Sequence, residues 1–263
     1  KKNKKFEIAT LSRSEEKTDI KHFVCDRKDT SKLMKIFKNF SPNIILDMIN
    51  FDKDDSQEIS NLYEQECLSE LCHYIMISSF FIYNHFDYKY FSEKKINENF
   101  NSIHIDRYTK CKIESEINLY SSKLMDITTI LRLPFVFSAD DYTNRFQRLC
   151  EISLNGSNTI YNSPFKYSLI RKDDAAEAIT KIFNSNPVGI IDLSNAGYAT
   201  NRKLVESIYE YRSLTEDKQN EEKGTFPYFV NKDICLSSQK IIIDLPIFEA
   251  VRNEAEKYWL SKL

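Results

Sequence analysis

The sequence predicts an α/β protein built on a doubly wound parallel sheet, and three observations support this class. Short apolar segments alternate with segments of helical apolar spacing as far as Asp140. The apolar segments are hydrophobic at nearly every position, which is typical of strands buried on both faces of a sheet. With 263 residues, 41% of them hydrophobic, the chain is also long enough to enclose a full-sized core.

The elements follow a regular order as far as Phe137. The predicted strands are 6–11, 22–25, 43–49, 74–78 and 128–137. The predicted helices are 31–40, 56–73 and 107–125, where apolar residues recur at intervals of three and four. A polar and aromatic loop is predicted at 84–105.

Beyond Asp140 the pattern thins. Helices are predicted at 173–183, 201–211 and 247–263, a strand at 189–193, and a charged loop at 215–224. We therefore expect residues 1–139 to form one domain and residues 140–263 mainly a smaller C-terminal lobe. Residues 173–195 are expected to return to the first domain.

Composition restricts the classes of partner. The formal net charge is −2, with 37 basic and 39 acidic residues, so nothing attracts the whole chain to nucleic acid or to anionic membranes. No apolar run approaches the roughly 18 residues of a membrane span. The six Cys show neither a Cys-x-x-Cys pair nor a zinc-binding spacing. We expect no metal, no nucleic acid and no membrane partner, and a cytoplasmic protein with reduced thiols.

One pair of residues suggests chemistry. A Tyr and a Lys four residues apart lie on one face of a helix. The chain holds four such pairs, Tyr90/Lys94, Tyr108/Lys112, Tyr228/Lys232 and Tyr258/Lys262, where composition alone supplies roughly 1.5. Spacing by itself therefore decides nothing. Tyr108 and Lys112 are the pair on a predicted helix that follows a strand ending in Ser78-Ser79, and such a Ser would complete a proton-transfer site.

Six further segments stand in a fixed order around this pair. They are Leu11-Ser12-Arg13-Ser14, Cys25-Asp26-Arg27, Asp47-Met48-Ile49-Asn50, residues 78–83 (SSFFIY), residues 131–137 (LRLPFVF) and residues 170–176 (IRKDDAA). Together with Tyr108 and Lys112 they resemble the extended short-chain dehydrogenase/reductases, the NAD-dependent epimerase/dehydratase family. The resemblance covers nearly the whole chain. It implies a Rossmann-like fold whose C-terminal lobe binds a small-molecule substrate.

The resemblance implies a catalytic group of Ser79, Tyr108 and Lys112. A phenol has an ordinary pKa of about 10, which an ammonium within about 4–6 Å lowers. Tyr108 would exchange a proton with a substrate oxygen, and Lys112 would supply the positive charge and bind the nicotinamide ribose. Ser79 would hydrogen-bond the same substrate oxygen. Ser79 is preferred to Ser78 because the family places this hydroxyl four residues before a Tyr, here Tyr83.

The resemblance also implies that the cofactor is NADP or NAD. The residues in cofactor-binding positions are Ser12, Arg13, Asp26, Arg27, Met48, Ile49, Asn50, Tyr108, Lys112, Leu133 and Phe135. Arg13 follows the strand whose end contacts the 2′ position of the adenosine ribose, where a basic residue accepts a 2′-phosphate. We therefore expect NADP(H) to be preferred to NAD(H).

The sequence departs from the family in three places. The first strand, the glycine-rich turn and the first helix are not found, and the four Gly form no such turn. Lys1–Lys5 resembles the tail of that helix, so we expect the segment to exist outside these residues. Phe80-Phe81 stand where dehydratases carry Asp-Glu, and Phe135 stands where nucleotide-sugar enzymes tend to carry Asn. These residues argue against a 4,6-dehydratase and favour a smaller or less charged substrate.

These observations lead to two functional hypotheses. The first is an NAD(P)-dependent oxidoreductase or epimerase acting on a secondary alcohol or ketone of a sugar-like or small metabolite. The alternative is a catalytically inactive family member that serves as a binding or regulatory protein. Relatives pair the helices that correspond to 56–73 and 107–125 into a four-helix bundle, which suggests a homodimer. A merely solvated helix face fits the pattern nearly as well.

Overall fold

The computed structural model describes residues 6–84, 105–155, 163–212, 228, 230, 232–236, 243 and 245–262. Most of the predicted loop at 84–105, the whole predicted loop at 215–224 and the Tyr90/Lys94 pair lie outside these residues. The chain divides into two compact units. The first comprises Lys1–Met76 and Asp106–Thr129, and the second comprises Ile77–Ile105 and Ile130–Leu263.

Parallel strands form the sheets of the first unit. Strand β1 (Ala9–Ser12) pairs with β2 (Lys21–Val24), with Ala9 opposite Lys21. Strand β3 (Ile44–Asp47) pairs with β4 (His73–Ser79) in a different sheet, with Asp47 opposite Met76. Strand β5 (Thr128–Leu133) is the next neighbour of β4. The parallel register brings the carboxyl ends of β3 and β4 to one edge of the sheet, where polar side chains gather.

Three helices with aspartate caps pack on the strands of the first unit. Helices α1 (Thr30–Phe40), α2 (Lys53–Glu64) and α3 (Arg107–Tyr120) begin after Asp29, Asp52 and Asp106, whose side chains each accept a backbone N–H of the first turn. The core beneath them includes Leu33, Leu62, Tyr74, Met76 and Leu119. Helices α2 and α3 contact each other through a 3.0 Å hydrogen bond from the Ser56 hydroxyl to the Ser115 hydroxyl.

Two helices of the first unit end earlier than their sequence pattern predicts. Helix α2 stops at Glu64, not at residue 73, because Glu66 takes a positive φ of 59° that a helix does not allow. Helix α3 stops at Tyr120, and the remainder of the predicted segment becomes a separate 3-10 helix at Lys123–Ile127. In both places apolar residues continue past the end of the helix, so hydrophobic spacing alone does not locate the stop.

The second unit is built around the ends of β4 and β5 and the strands that follow. These are β6 (Phe135–Phe137), β7 (Leu169–Arg171) and β8 (Gly189–Asp192). The helices are α4 (Arg145–Asn155), α5 (Lys172–Ser185), α6 (Asn201–Arg212) and α7 (Ile247–Leu260). Strand β6 pairs in parallel with β7, and β8 neighbours β5. The single strand predicted at 128–137 is in fact two, because Pro134 lacks the N–H that a ladder requires.

Among the residues that the structure describes, no helix combines the length and apolarity of a membrane span. The described residues likewise contain no group of three or more His, Cys, Asp or Glu side chains arranged to hold a metal ion. All six Cys are free thiols.

Candidate active site

Helix α3 presents Tyr108 and Lys112 to different environments. Tyr108 lies in its first turn with 47% of its surface exposed, whereas Lys112, one turn later, is 2% exposed. The Lys112 amine donates a 2.5 Å hydrogen bond to the backbone carbonyl of Asn50, just beyond β3. The same amine lies 5.0 Å from the centre of the Phe51 ring. The phenol is therefore accessible while the amine is held against the end of the sheet.

Burial sets the protonation of Lys112. Removal from water lowers the pKa of the amine to about 8, although the negative charges of Asp47, Glu116 and Asp55 act in the opposite direction. At pH 7 the ammonium form still predominates. Lys112 is thus a buried positive charge one helical turn from the Tyr108 phenol, with little water to screen it.

Asn50 fixes the carbonyl that holds Lys112. It is fully buried, its amide nitrogen donates to the Tyr74 hydroxyl at 3.0 Å, and its amide oxygen accepts from the Ser115 hydroxyl at 2.5 Å. The Tyr74 hydroxyl in turn donates to the Asp47 carboxylate at 2.7 Å. Predicted as a cofactor-binding residue, Asn50 is placed by the structure inside a closed hydrogen-bond network.

Arg27 pairs with two carboxylates at this edge of the first unit. Its guanidinium forms a two-pronged pair with Asp47, both distances being 3.1 Å, and its Nε lies 3.0 Å from the Asp55 carboxylate. The neighbouring Lys28 amine lies 2.8 Å from Asp55. Asp26, predicted with Arg27 to face the adenine, accepts the backbone N–H of Lys28 at 2.9 Å. The structure therefore engages Arg27 with carboxylates of the chain itself.

Apolar side chains are exposed where β3 ends. Met48 is 64% exposed, Ile49 is 42% exposed and Phe51 is 51% exposed, and all three flank the buried Asn50. Three large hydrophobic residues exposed within four positions form a surface suited to an apolar ligand face. Sequence analysis predicts Met48 and Ile49 as contact residues, and it does not single out Phe51.

The turn after β1 holds two further predicted residues. The Ser12 hydroxyl donates to the backbone carbonyl of Ser14 at 2.8 Å, which stabilises the turn. The Arg13 side chain is exposed. Of these two residues, Arg13 is the one whose side chain is presented to solvent.

Ser79 belongs to the second unit, unlike Tyr108 and Lys112. It is the last residue of β4, is 6% exposed, and its hydroxyl oxygen accepts the backbone N–H of Phe81 at 3.3 Å. In this contact the Ser79 oxygen is the acceptor. Among the residues that the structure describes, the hydroxyl hydrogen has no acceptor.

A buried polar group that sequence analysis overlooked lies near the same strand end. The Tyr83 hydroxyl donates to the Asp192 carboxylate, with distances of 2.9 and 3.0 Å to its two oxygens, and accepts from the Arg132 guanidinium at 2.8 Å. Arg132 is fully buried. An Arg inside an otherwise apolar predicted strand was the available signal, because a buried guanidinium requires partners.

Aromatic rings surround the remaining predicted residues of the second unit. Leu133 is half-buried. Phe135 is 8% exposed, and its ring packs against four others, with ring centres 5.2–5.7 Å apart: Phe80, Phe81, Tyr167 and Tyr228. Most of these contacts are edge-to-face, the arrangement that aromatic rings prefer. Phe135 is thus part of the hydrophobic core of this unit.

No family model and no curated protein matches the sequence. Solved structures do match the fold. The enzyme WbmG of Bordetella bronchiseptica, in complex with NAD and UDP, superimposes with a TM-score of 0.67 at 12% identity, over 97% of this chain and 87% of that one. UDP-glucose 4-epimerase of Thermotoga maritima, with UDP-glucose, gives 0.67 at 14% identity, over 98% and 92%. dTDP-4-dehydrorhamnose reductase of Bacillus anthracis, in complex with NADP, gives 0.61 at 13% identity, over 97% and 99%.

The chain shares the fold of these three enzymes. The predicted fold class, an α/β architecture with parallel strands, is confirmed. At 12–14% identity the likeness is one of fold.

The cap of α3 offers a direct test of how the helix holds Tyr108 and Lys112. Asp106 lies two residues before Tyr108, and its carboxylate accepts the backbone N–H of Thr109 at 2.9 Å. Asp106→Ala is expected to lower the free energy of unfolding by about 1 kcal/mol. Asp106→Asn is the matched control, because it keeps an oxygen acceptor, and it should stay close to the wild type in urea unfolding. Equal destabilisation by both variants would contradict a capping role.

Proposed function

We propose that the protein is an NAD(P)-dependent oxidoreductase or epimerase that acts on a secondary alcohol or ketone of a sugar-like or small metabolite. The observation that carries the proposal is the arrangement on α3, where the buried Lys112 amine lies one turn from the half-exposed Tyr108 phenol. Structures of the same fold in complex with NAD or NADP support it. Cytoplasmic location and a homodimer stay predictions.

Tyr108 is the proposed acid and base. Its exposed ring can reach a bound molecule, and the role proposed for the Lys112 ammonium is to favour the phenolate form. The phenol would donate its proton to a carbonyl oxygen in reduction and take a proton from a hydroxyl in oxidation. The fully buried Asn50 anchors Lys112, so the positive charge stays in place during both directions of proton transfer.

Ser79 is the proposed second donor to the substrate oxygen. Its oxygen lone pair receives the Phe81 N–H, so the hydroxyl hydrogen is the part left for a ligand. A donor held in this way stabilises negative charge that develops on the substrate oxygen. Its position at the carboxyl end of a parallel strand is where ligands bind in open α/β sheets.

The residues that we propose to hold the cofactor are a subset of those that sequence analysis predicts. Exposed Met48 and Ile49 fit an apolar ring face, and exposed Arg13 fits a 2′-phosphate. We assign Arg27 to Asp47 and Asp55 instead of to the cofactor, because its guanidinium is already paired with both. When bound, NAD(P) supplies the hydride. The chain's residues supply position and the proton.

A fluorescence titration with NADPH and then NADH tests this proposal. We expect saturable binding of both, with NADPH bound at least tenfold more tightly, and we expect Arg13→Ala to remove most of that difference. The ratio of the two dissociation constants is the readout, and Arg202→Ala is the control because that side chain is also exposed. Binding of neither nucleotide would overturn the proposal, and equal affinities unaffected by Arg13→Ala would overturn the preference for NADP.

A further inference from the structure

Lys112 depends on a backbone carbonyl, so whatever fixes that carbonyl also fixes the amine. The carbonyl belongs to Asn50, in the segment beyond β3. On both sides of Asn50 the chain is exposed at Ile49 and Phe51. The buried side chain of Asn50 therefore anchors this part of the segment, chiefly through its shorter hydrogen bonds to β4 and α3.

We propose that Tyr74 is a positioning residue for Lys112 and that it acts through Asn50. The Tyr74 hydroxyl has two roles at once, since it donates to Asp47 at 2.7 Å and accepts from the Asn50 amide at 3.0 Å. One phenol thus links the last residue of β3 to the residue whose carbonyl receives the Lys112 amine. The inference relies on the proposed function only for the importance of Lys112.

The properties of Tyr74 suit this role. The side chain is fully buried on β4, and burial together with the Asp47 charge raises the pKa of its phenol well above the ordinary value. Tyr74 is therefore a neutral donor at neutral pH. Arg27 binds Asp47 from the other side, so the carboxylate has partners in fixed directions.

Ser115 completes the anchor independently of Tyr74. Its hydroxyl donates to the Asn50 amide oxygen at 2.5 Å and receives the Ser56 hydroxyl at 3.0 Å. Asn50 is thus held through its nitrogen by Tyr74 of β4, with a longer 3.5 Å contact to Asp47 of β3, and through its oxygen by α3. Buried groups that share one hydrogen-bond network couple energetically, so their substitution effects are expected to be non-additive.

Charges also act on Lys112 without passing through Asn50. The titratable groups to consider are Asp47 on β3, Asp55 on α2, Glu116 and Tyr108 on α3, Tyr74 on β4, and Arg27. In Tyr74→Phe the Arg27 fork still neutralises Asp47, so the direct field on Lys112 changes little. The lost hydroxyl removes one of the hydrogen bonds that fix Asn50, so the carbonyl that accepts the Lys112 amine is held less firmly and the buried ammonium is less stable.

The experiment is an NMR titration of the full chain labelled with ¹³C at the lysine ε position, with Lys112→Met used to assign the signal. The wild-type midpoint is expected near pH 8. Tyr74→Phe and Asn50→Ala should each lower the midpoint by about half a pH unit or more, the size expected for one lost hydrogen bond. Adding Tyr74→Phe to Asn50→Ala should cause no further shift.

Two controls keep the test decisive. Tyr258→Phe removes another buried hydroxyl that donates to a carboxylate, that of Glu151 at 2.8 Å, and should leave the midpoint unchanged. Ser115→Ala should shift it in the same direction as Tyr74→Phe, and it stands in if Tyr74→Phe does not fold. An unchanged midpoint in Tyr74→Phe, or a full additional shift in the double variant, would overturn the inference. Failure of nucleotide binding would instead overturn the proposed function and leave this titration intact.

Discussion

Arg27→Leu is expected to lower the free energy of unfolding by about 3–5 kcal/mol, as when one partner of a buried ion pair is removed. The guanidinium is 17% exposed, and its partners Asp47 and Asp55 are 8% and 4% exposed. Without Arg27, the donors that remain to Asp47 among the described residues are neutral, such as Tyr74 and the backbone N–H of Ile49. Leu replaces part of the lost packing volume, so the effect reports chiefly on the uncompensated carboxylate.

Urea unfolding of Arg27→Leu beside Arg202→Leu measures this effect. Arg202 pairs with Glu206 on the surface of α6 at 2.7 Å, and both side chains are exposed, so its replacement should cause no measurable change. A similar loss in the two variants would show that the Arg27 pairs contribute no more than surface pairs do.

The same cluster predicts a dependence of stability on pH. Burial tends to raise the pKa of Asp55, but the Lys28 amine, the Phe51 N–H and the Arg27 charge outweigh burial and hold the pKa below its ordinary value. A carboxyl whose pKa is lower in the folded state stabilises the fold above its unfolded pKa, near 4, and loses that contribution as the pH falls through the folded value. The loss of stability on acidification should be smaller in Arg27→Leu than in the wild type.

Much of the fold could be predicted from sequence because hydrophobic periodicity is a local property. The four strands from β1 to β4 lie within a few residues of their predicted positions. The stop of α2 could not be predicted, because the positive φ at Glu66 is adopted by a residue type that gives no turn signal. Helix α4 and strand β7 were not predicted either, since β7 has only three residues and α4 begins in a polar segment.

For the candidate site, too, local features could be predicted from sequence and tertiary contacts could not. The spacing of Tyr108 and Lys112 is readable in the sequence because both lie on one helix. The partners of Arg27 are not readable, because Asp47 and Asp55 are 20 and 28 residues away and only tertiary structure brings them together. The network of Tyr74, Asn50 and Ser115 is hidden for the same reason, since it joins a strand, a loop and a helix.

Tyr108→Phe is expected to abolish NADPH-dependent reduction of a carbonyl substrate, lowering the turnover rate by about 10²–10⁴-fold, the usual contribution of a positioned acid or base. The variant keeps the ring and loses only the hydroxyl, so nucleotide affinity and unfolding should match the wild type. Tyr142→Phe is the matched control, because it removes the hydroxyl of a Tyr that is 94% exposed and that has no role in the proposed proton transfer. The assay follows NADPH oxidation across a panel of small ketones and keto-sugars.

The pH profile of the wild type distinguishes the proposed mechanism from the alternative of an inactive binding protein. If the Lys112 ammonium sustains proton transfer by Tyr108, the rate should fall as the pH rises past about 8, where that amine loses its proton. Lys112→Met should remove both the activity and this limb of the profile. Turnover that survives Tyr108→Phe would exclude Tyr108 as the acid and base. The binding-protein alternative would instead be favoured if the protein bound nucleotide tightly, turned over no probe substrate, and kept the same nucleotide affinity in Tyr108→Phe and Lys112→Met. Tyr108 and Lys112 would then have a structural role alone.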